Sequence, residues 1–431
     1  MRRVRRALVL AAVSAAARTP AFIIPVLIAT VFGASSTTDA YFVAYSAVLF
    51  LGGTLAQGLE QAVVPFAAKE LHARPGRARA YLDRAAFLTG KASSVVWLVG
   101  VPLFALAVGA GLRNAVLGFA VLFTPLALGW CVASVYSGGL VSQWKIATAT
   151  GSLLWRGLGA LMGACLIPLG AGLSAVAVGL GMGELTRAWW LRSRLFAIAS
   201  PADTGAVESV RPLALAAGAQ IAASAAIAVA PVVERMLAVR LGPGAVSHLE
   251  YGARLLIIPG VLFDGALAPL LLAHWTEVLT KAKSVPSPRA VLWIVARGLG
   301  LATACGGLLA LTASPLVHVL LGHGRFGVAD EVAVASLLRV LCIGFLATMS
   351  ALLLERFYLA AVRNRVLAVL SVLRATVRLA TVILFLPSLG LLAFGVGYAV
   401  ADWLYLISLV VLLRPAEVTV APAPTPEARN T

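Results

Sequence analysis

Arginines recur where an apolar chain has least reason to carry them. Arg18, Arg254, Arg374 and Arg378, with Glu234 and Arg235 beside them, each lie inside a long run of hydrophobic residues. A charge at the centre of a bilayer costs about 2.5–3.5 kcal/mol on insertion scales, so such a residue faces a cavity or a charged partner. Guanidinium presents a planar fork of donors suited to phosphate oxygens, and a set dominated by it favours an anionic ligand. Arg18 stands roughly halfway along the first apolar run, two residues before Pro20. Glu234 and Arg235 are adjacent on one helix and point about 100° apart. Arg374 and Arg378 are spaced i, i+4 and share a face. Two guanidinium groups there would repel a metal ion, so Glu234 is expected to pair with one of them in a buried ionic cluster. Asp39 and Ser247 each follow a turn at a helix start, where capping of the first backbone N–H groups is the plain role. Arg156, Arg297 and Arg339 also fall inside the spans, and boundary error and snorkelling to the interface account for most of them.

These charges must be positioned by membrane helices. Of the 431 residues, 61% are apolar and 12% charged, and the mean hydropathy is +0.97. A soluble domain has roughly 45–50% and 25% respectively. Spans of 20–28 apolar residues, the length a hydrocarbon core of about 30 Å requires, fall near 7–31, 39–66, 88–110, 114–138, 147–169, 172–195, 212–239, 248–274, 289–313, 330–353, 366–387 and 389–413. The expected class is therefore an all-α polytopic membrane protein of about twelve helices, with no room for a folded aqueous domain.

The net charge of +17 follows from topology and does not call for nucleic acid. Threaded in alternation, the twelve spans put 22 basic residues on one side, including Arg2, Arg3, Arg5, Arg6, Arg77 and Arg363, and only Arg113, Arg240 and Arg325 on the other. The positive-inside rule then places both termini in the cytoplasm, with the bacterial plasma membrane as the expected location. The apolar run continues past Arg18 to Phe32, too long for the core of a signal peptide, so a retained first helix is expected. The stretch 415–431 is Pro-rich and polar and is expected to be a disordered tail. Cys131, Cys165, Cys305 and Cys342 stand alone in apolar spans without metal-ligand spacing, and no histidine has a convincing partner. No metal or other cofactor is implied.

The chain repeats itself. FGASSTTDAYFVAY from Phe32 aligns with LGPGAVSHLEYGAR from Leu241, at an offset of 209 residues. Gly33 matches Gly242, Thr38 matches Ser247 and Phe42 matches Tyr251. Each copy joins the first two helices of a six-helix unit. Six is an even number, so both units start on the same side and are related by a pseudo-two-fold axis along the membrane normal. The expected division is an N-terminal lobe over 1–200, a C-terminal lobe over 201–414 and the tail.

Three stretches resemble the MviN/MurJ-type flippases of the multidrug/oligosaccharidyl-lipid/polysaccharide exporter superfamily: VFGASSTTDAYFVAY with QGLEQAVVP; GAVSHLEYGARLLIIPGVL; and LLGHGRFGVADEVAVASLLRVLCIGF leading into RFYLAAVRNR. They stand in corresponding order along almost the whole chain. The resemblance implies a basic cavity between two lobes that carries a polyprenyl-diphosphate glycan, such as lipid II, from the inner to the outer leaflet. Its partners would be membrane lipid, a lipid-linked glycan with a diphosphate headgroup, and a cell-envelope synthesis complex. It also implies that Arg18 and Arg254 bind substrate, and that Asp39 and Ser247 contact substrate or take part in gating. This chain departs from the family pattern at Ile24 and Pro25, where relatives carry an Arg-Asp pair. It departs again at Gly52 and Gly53, which replace an arginine pair, at Ile257, which replaces an acid, and in lacking two C-terminal helices. Some relatives hold sodium between their seventh and eleventh helices, where this chain has Glu234, Arg374 and Arg378. The competing readings are a drug or cation antiporter of the toxin-extrusion type, a non-transporting scaffold for a cell-envelope complex, and a membrane glycosyltransferase. The first wants carboxylates in the cavity; the last wants larger external loops than this chain has.

Overall fold

Without water to satisfy backbone N–H and C=O groups, an apolar chain of this kind closes its hydrogen bonds within helices. The computed structural model describes residues 2–73, 75–196, 209–263, 267–281, 287–361 and 363–413, and no strand occurs among them. In order the helices are α1 (Arg2–Phe32), α2 (Ser36–Ala47), α3 (Thr54–Ala73), α4 (Pro75–Ala107), α5 (Ala110–Leu122), α6 (Thr124–Ser142), α7 (Ile146–Gly151), α8 (Leu153–Cys165) and α9 (Gly172–Phe196). The second half follows with α10 (Arg211–Val239), α11 (Ala245–Leu262), α12 (Ala268–Lys281), α13 (Pro288–Leu311), α14 (Ala313–Leu321), α15 (Val328–Ala360), α16 (Asn364–Leu389) and α17 (Leu392–Val411). A π-helical turn over Val48–Gly53 joins α2 to α3.

Nine stretches among the described residues are long and apolar enough to cross a membrane, each overlapping an expected span. Helices also run through the other three expected spans, as α9, α10 and the α11–α12 pair. The predicted tail, 415–431, lies outside the described residues.

Packing separates the two ends of the bundle. At the end where α1 finishes and α2 begins, one apolar core unites both halves, with Phe42, Phe123, Tyr251, Phe326 and Phe345 in a single cluster. At the end where α1 starts there are two cores. One gathers Tyr81, Leu82, Leu140, Leu191 and Leu195 with Leu213 and Ala217 at the start of α10; the other gathers Trp275, Val295, Leu354, Phe357, Tyr358 and Leu409. The molecule thus has one core at its far end and two at the end where α1 starts, where the beginning of α10 joins the core of the first half.

Small residues allow the closest approaches, as expected where helices associate without a hydrophobic drive from water. Gly159 and Gly163 of α8 meet Gly179 and Gly183 of α9 so tightly that a Cβ on Gly159 would lie 2.3 Å from the carbonyl oxygen of Gly179. At the far end, Gly324 (φ +67) lets the chain bring the Arg325 N–H to the Thr30 carbonyl at 3.0 Å, a backbone bond between the two halves.

Candidate functional site

A cavity of about 160 Å³ opens between α1, α2, α8, α9 and α11, walled by Ile24, Ile28, Tyr41, Tyr45, Leu180 and their neighbours. Among the described residues its only charged lining groups are Arg156 and Arg254. α8 supplies Arg156, whose guanidinium lies 4.0 Å over the Trp130 ring and donates through Nε to Glu184 at 2.5 Å. Arg187, one turn beyond Glu184 on α9, donates to the same carboxylate at 2.7 Å and to Ser152 Oγ at 2.9 Å. Arg254 on α11 lies 3.6 Å from Glu250, and Arg235 of α10 donates to that same glutamate.

Each half of the site therefore contains one carboxylate shared by two guanidinium groups: Glu184 with Arg156 and Arg187, Glu250 with Arg235 and Arg254. Four cations share two anions, leaving a local excess of two positive charges. One nitrogen of Arg156, Nη2, is buried with no hydrogen-bond partner among the described residues. Uncompensated buried charge is costly, and an anion with several acceptor oxygens would relieve it.

A second cavity, about 390 Å³, lies in the C-terminal half between α10, α11, α15, α16 and α17. Arg378 spans it by donating to both carboxylate oxygens of Glu234, with Nη2 2.7 Å from Oε2. Arg374 turns away to Asp402 of α17, which also accepts from Thr348. The ionic cluster over Glu234, Arg374 and Arg378 is thus two ion pairs, with Asp402 a member that sequence reading missed. No group of residues able to hold a metal ion occurs among the described residues.

Asp39 and Ser247 meet at the far end, away from both cavities. Ser35 already caps α2, in a capping box with Thr38. That leaves Asp39 free to accept from Gly244 N–H at 2.6 Å, Ser247 N–H at 2.8 Å and Ser247 Oγ at 2.6 Å. Asp39 thus caps α11, the helix of the opposite half, in place of its own. Tyr251 Oη donates to the Gly33 carbonyl at 3.2 Å, and its ring packs edge-on to Phe42 at 5.5 Å. These contacts latch the halves together.

Arg18 belongs to α1, and its side chain lies outside the described residues; its neighbour Ala17 lines the first cavity. Arg156 is not explained by a span boundary or by snorkelling; α8 carries it inward, onto Trp130 and the cavity wall. The i, i+4 spacing of Glu250 and Arg254 and the i, i+3 spacing of Glu184 and Arg187 are the signals that were available for the carboxylates. Gly52 packs against Ala127 and Gly53 beneath Trp130, so an arginine pair there would collide with α6. Glu60 accepts from Ser137 at 2.8 Å, within the N-terminal half.

Membrane helices latched at one end around a cationic cavity are the architecture of a polytopic membrane carrier. Solved structures with this fold include the lipid II flippase MurJ in an inward closed conformation, at TM-score 0.80 and 14% identity over 94% of this chain and 87% of that one. An inward-facing multidrug resistance MATE transporter aligns at 0.76 with 12% identity, over 94% and 96% of the two chains. A transporter of the same superfamily from Pyrococcus furiosus aligns at 0.71 with 13% identity, over 94% of each. No curated protein matches the sequence significantly. The model of the lipid II flippase MurJ family matches residues 151–424, well over half of the chain, and the protein belongs to that family.

Proposed function

We propose that this protein carries a polyprenyl-diphosphate-linked glycan, lipid II or a related cell-envelope precursor, from the inner to the outer leaflet by alternating access. Family membership supports the substrate class. The observation that carries the reading is the pair of cationic triads, with two guanidinium groups to each of Glu184 and Glu250, beside a cavity lined by Arg156 and Arg254. A diphosphate supplies the missing negative charge and several acceptors, while its lipid tail stays in the bilayer. A cation exporter would be ill served here, because the described charges lining the first cavity are both arginines.

In this reading the far end is the outer face, and the bonds from Asp39 to Gly244 and Ser247 are the outer gate. Arg254 lies two turns beyond Ser247 on α11, so movement of the gate and of the binding arginine share one rigid element. Both termini are cytoplasmic, as the distribution of basic residues implies. Proteoliposomes loaded with fluorescent lipid II test the proposal: translocation above protein-free liposomes, lost in Arg156→Ala and Arg254→Ala, is expected. Protein-dependent export of a cationic dye with no lipid movement would replace it with the antiporter reading.

A further inference from the structure

We infer that a groove on the membrane flank of the bundle, between α3, α4 and α10, is a binding site for an anionic glycerophospholipid of the leaflet that contains the termini. The groove encloses about 690 Å³ and is lined along α4 by Arg84, Leu88, Ala92 and Val96, each four residues after the last. At 1.5 Å per residue that wall is about 18 Å long, close to the roughly 15 Å that one leaflet contributes to the hydrocarbon core. Its opposite walls are Leu55 and Leu59 of α3 and Ala214, Ala217 and Gly218 of α10, whose small side chains leave room for an extended chain. Ser93, also on the wall, donates to its own helix at the Gly90 carbonyl, so its hydroxyl asks nothing of a ligand.

The two arginines of the groove, Arg84 and Arg211, stand together at one end. Both are exposed, and neither side chain has an ion pair or hydrogen bond among the described residues. At the same mouth the Arg211 N–H donates to Ser209 Oγ at 3.3 Å and Pro212 has no N–H, so the two guanidinium groups are what the mouth offers an anion. An apolar slot of one-leaflet length, ending in two unpaired cations, is complementary to an acyl chain below a phosphate.

The groove is walled off from the carrier's central cavity, which argues for a resident lipid over the transported one. Gly58 of α3 lies against Ile221 of α10, where a Cβ would come within 2.7 Å of the isoleucine side chain, and Gln220 donates to Gln61 beside it. An occupant touching α3 and α10 together adds to the contact these helices already make between the two halves, and so would favour the conformation in which they meet.

The test is native mass spectrometry of the purified protein with phosphatidylglycerol and phosphatidylcholine of equal chain length. A basic residue at an anionic surface contributes about 1 kcal/mol, or roughly fivefold. The wild type should retain phosphatidylglycerol preferentially, and Arg84→Ala/Arg211→Ala should reduce that preference by roughly 25-fold. Ala92→Trp, which fills the slot and keeps both arginines, should abolish retention, whereas Arg289→Ala, a distant basic residue, should leave it intact. An unchanged preference in the double variant would overturn the inference. So would an equal loss in Arg289→Ala, which would mean diffuse charge attraction. Displacement of phosphatidylglycerol by a polyprenyl diphosphate would assign the groove to the transported lipid and overturn it too.

Discussion

Thr38 and Ser247, equivalent residues of the two repeats and 209 positions apart, share a hydrogen bond of 2.9 Å. The equivalent pair Phe42 and Tyr251 is in contact as well. The latch is thus built from equivalent residues of the two repeats. Asp39 breaks the symmetry there: the position equivalent to it is His248, which turns to Asp330 at 2.8 Å.

If the latch is the outer gate, Asp39→Ala should open it. The substitution removes the acceptor for three donors, and each buried donor left unmade costs about 1–3 kcal/mol. In a cysteine-free background carrying Ala245→Cys, which is buried in the closed form, a membrane-impermeant maleimide should label the Asp39→Ala protein several-fold faster. Equal labelling rates would mean that the gate lies elsewhere.

Arg156→Ala and Arg254→Ala should abolish lipid translocation while leaving the protein in the membrane, because Arg187 and Arg235 still neutralise Glu184 and Glu250. Lysine at either position should restore activity only in part, since an ammonium keeps charge and loses the forked geometry. Arg18→Ala is expected to behave likewise. Full translocation by all three alanine variants, or their disappearance from membranes, would remove these arginines from the binding role.

Arg378→Ala should act differently. Glu234, 2% exposed, would lose its bidentate partner, and an orphaned buried charge costs about 3–5 kcal/mol. Membrane levels of the variant should fall sharply, and the double variant Glu234→Gln/Arg378→Met should recover them. Translocation should also be insensitive to replacing sodium with choline, because a guanidinium already occupies Glu234. A sodium-dependent rate would contradict that assignment.

Gly179→Leu should prevent folding altogether. Its Cβ would sit 2.3 Å from the Gly159 carbonyl oxygen, a backbone atom that cannot rotate away. Expression should drop to background, while the same change at Gly300, which has open space around it, should be tolerated.

Hydropathy made the spans legible, because a membrane helix is specified by its length and apolarity, and the repeat made the latch legible as two equivalent stretches. The direction in which each charge points was not legible. Arg156 reaches Glu184 across 28 residues from a neighbouring helix, and no local spacing encodes the rotation of α8 that turns it inward. Asp39 looked like a cap for its own helix. The pattern Ser35–Thr38 had already filled that role, and a capping box one residue before a carboxylate is the signal that Asp39 was available to another helix. Gly52 and Gly53 look like lost function in the sequence; in the fold Gly52 admits Ala127 of α6 and Gly53 makes space for Trp130, on which Arg156 stacks.

The two unneutralised guanidinium charges also give the carrier an electrical bias. A membrane potential acts on each charge with about 2.3 kcal/mol per 100 mV for full transit, and a potential negative on the cytoplasmic side pulls an unloaded, doubly positive cavity toward that side. A bound diphosphate cancels the pull. Voltage would then drive the unloaded return stroke and leave the loaded stroke nearly indifferent to it, so that the potential resets the carrier without opposing its cargo.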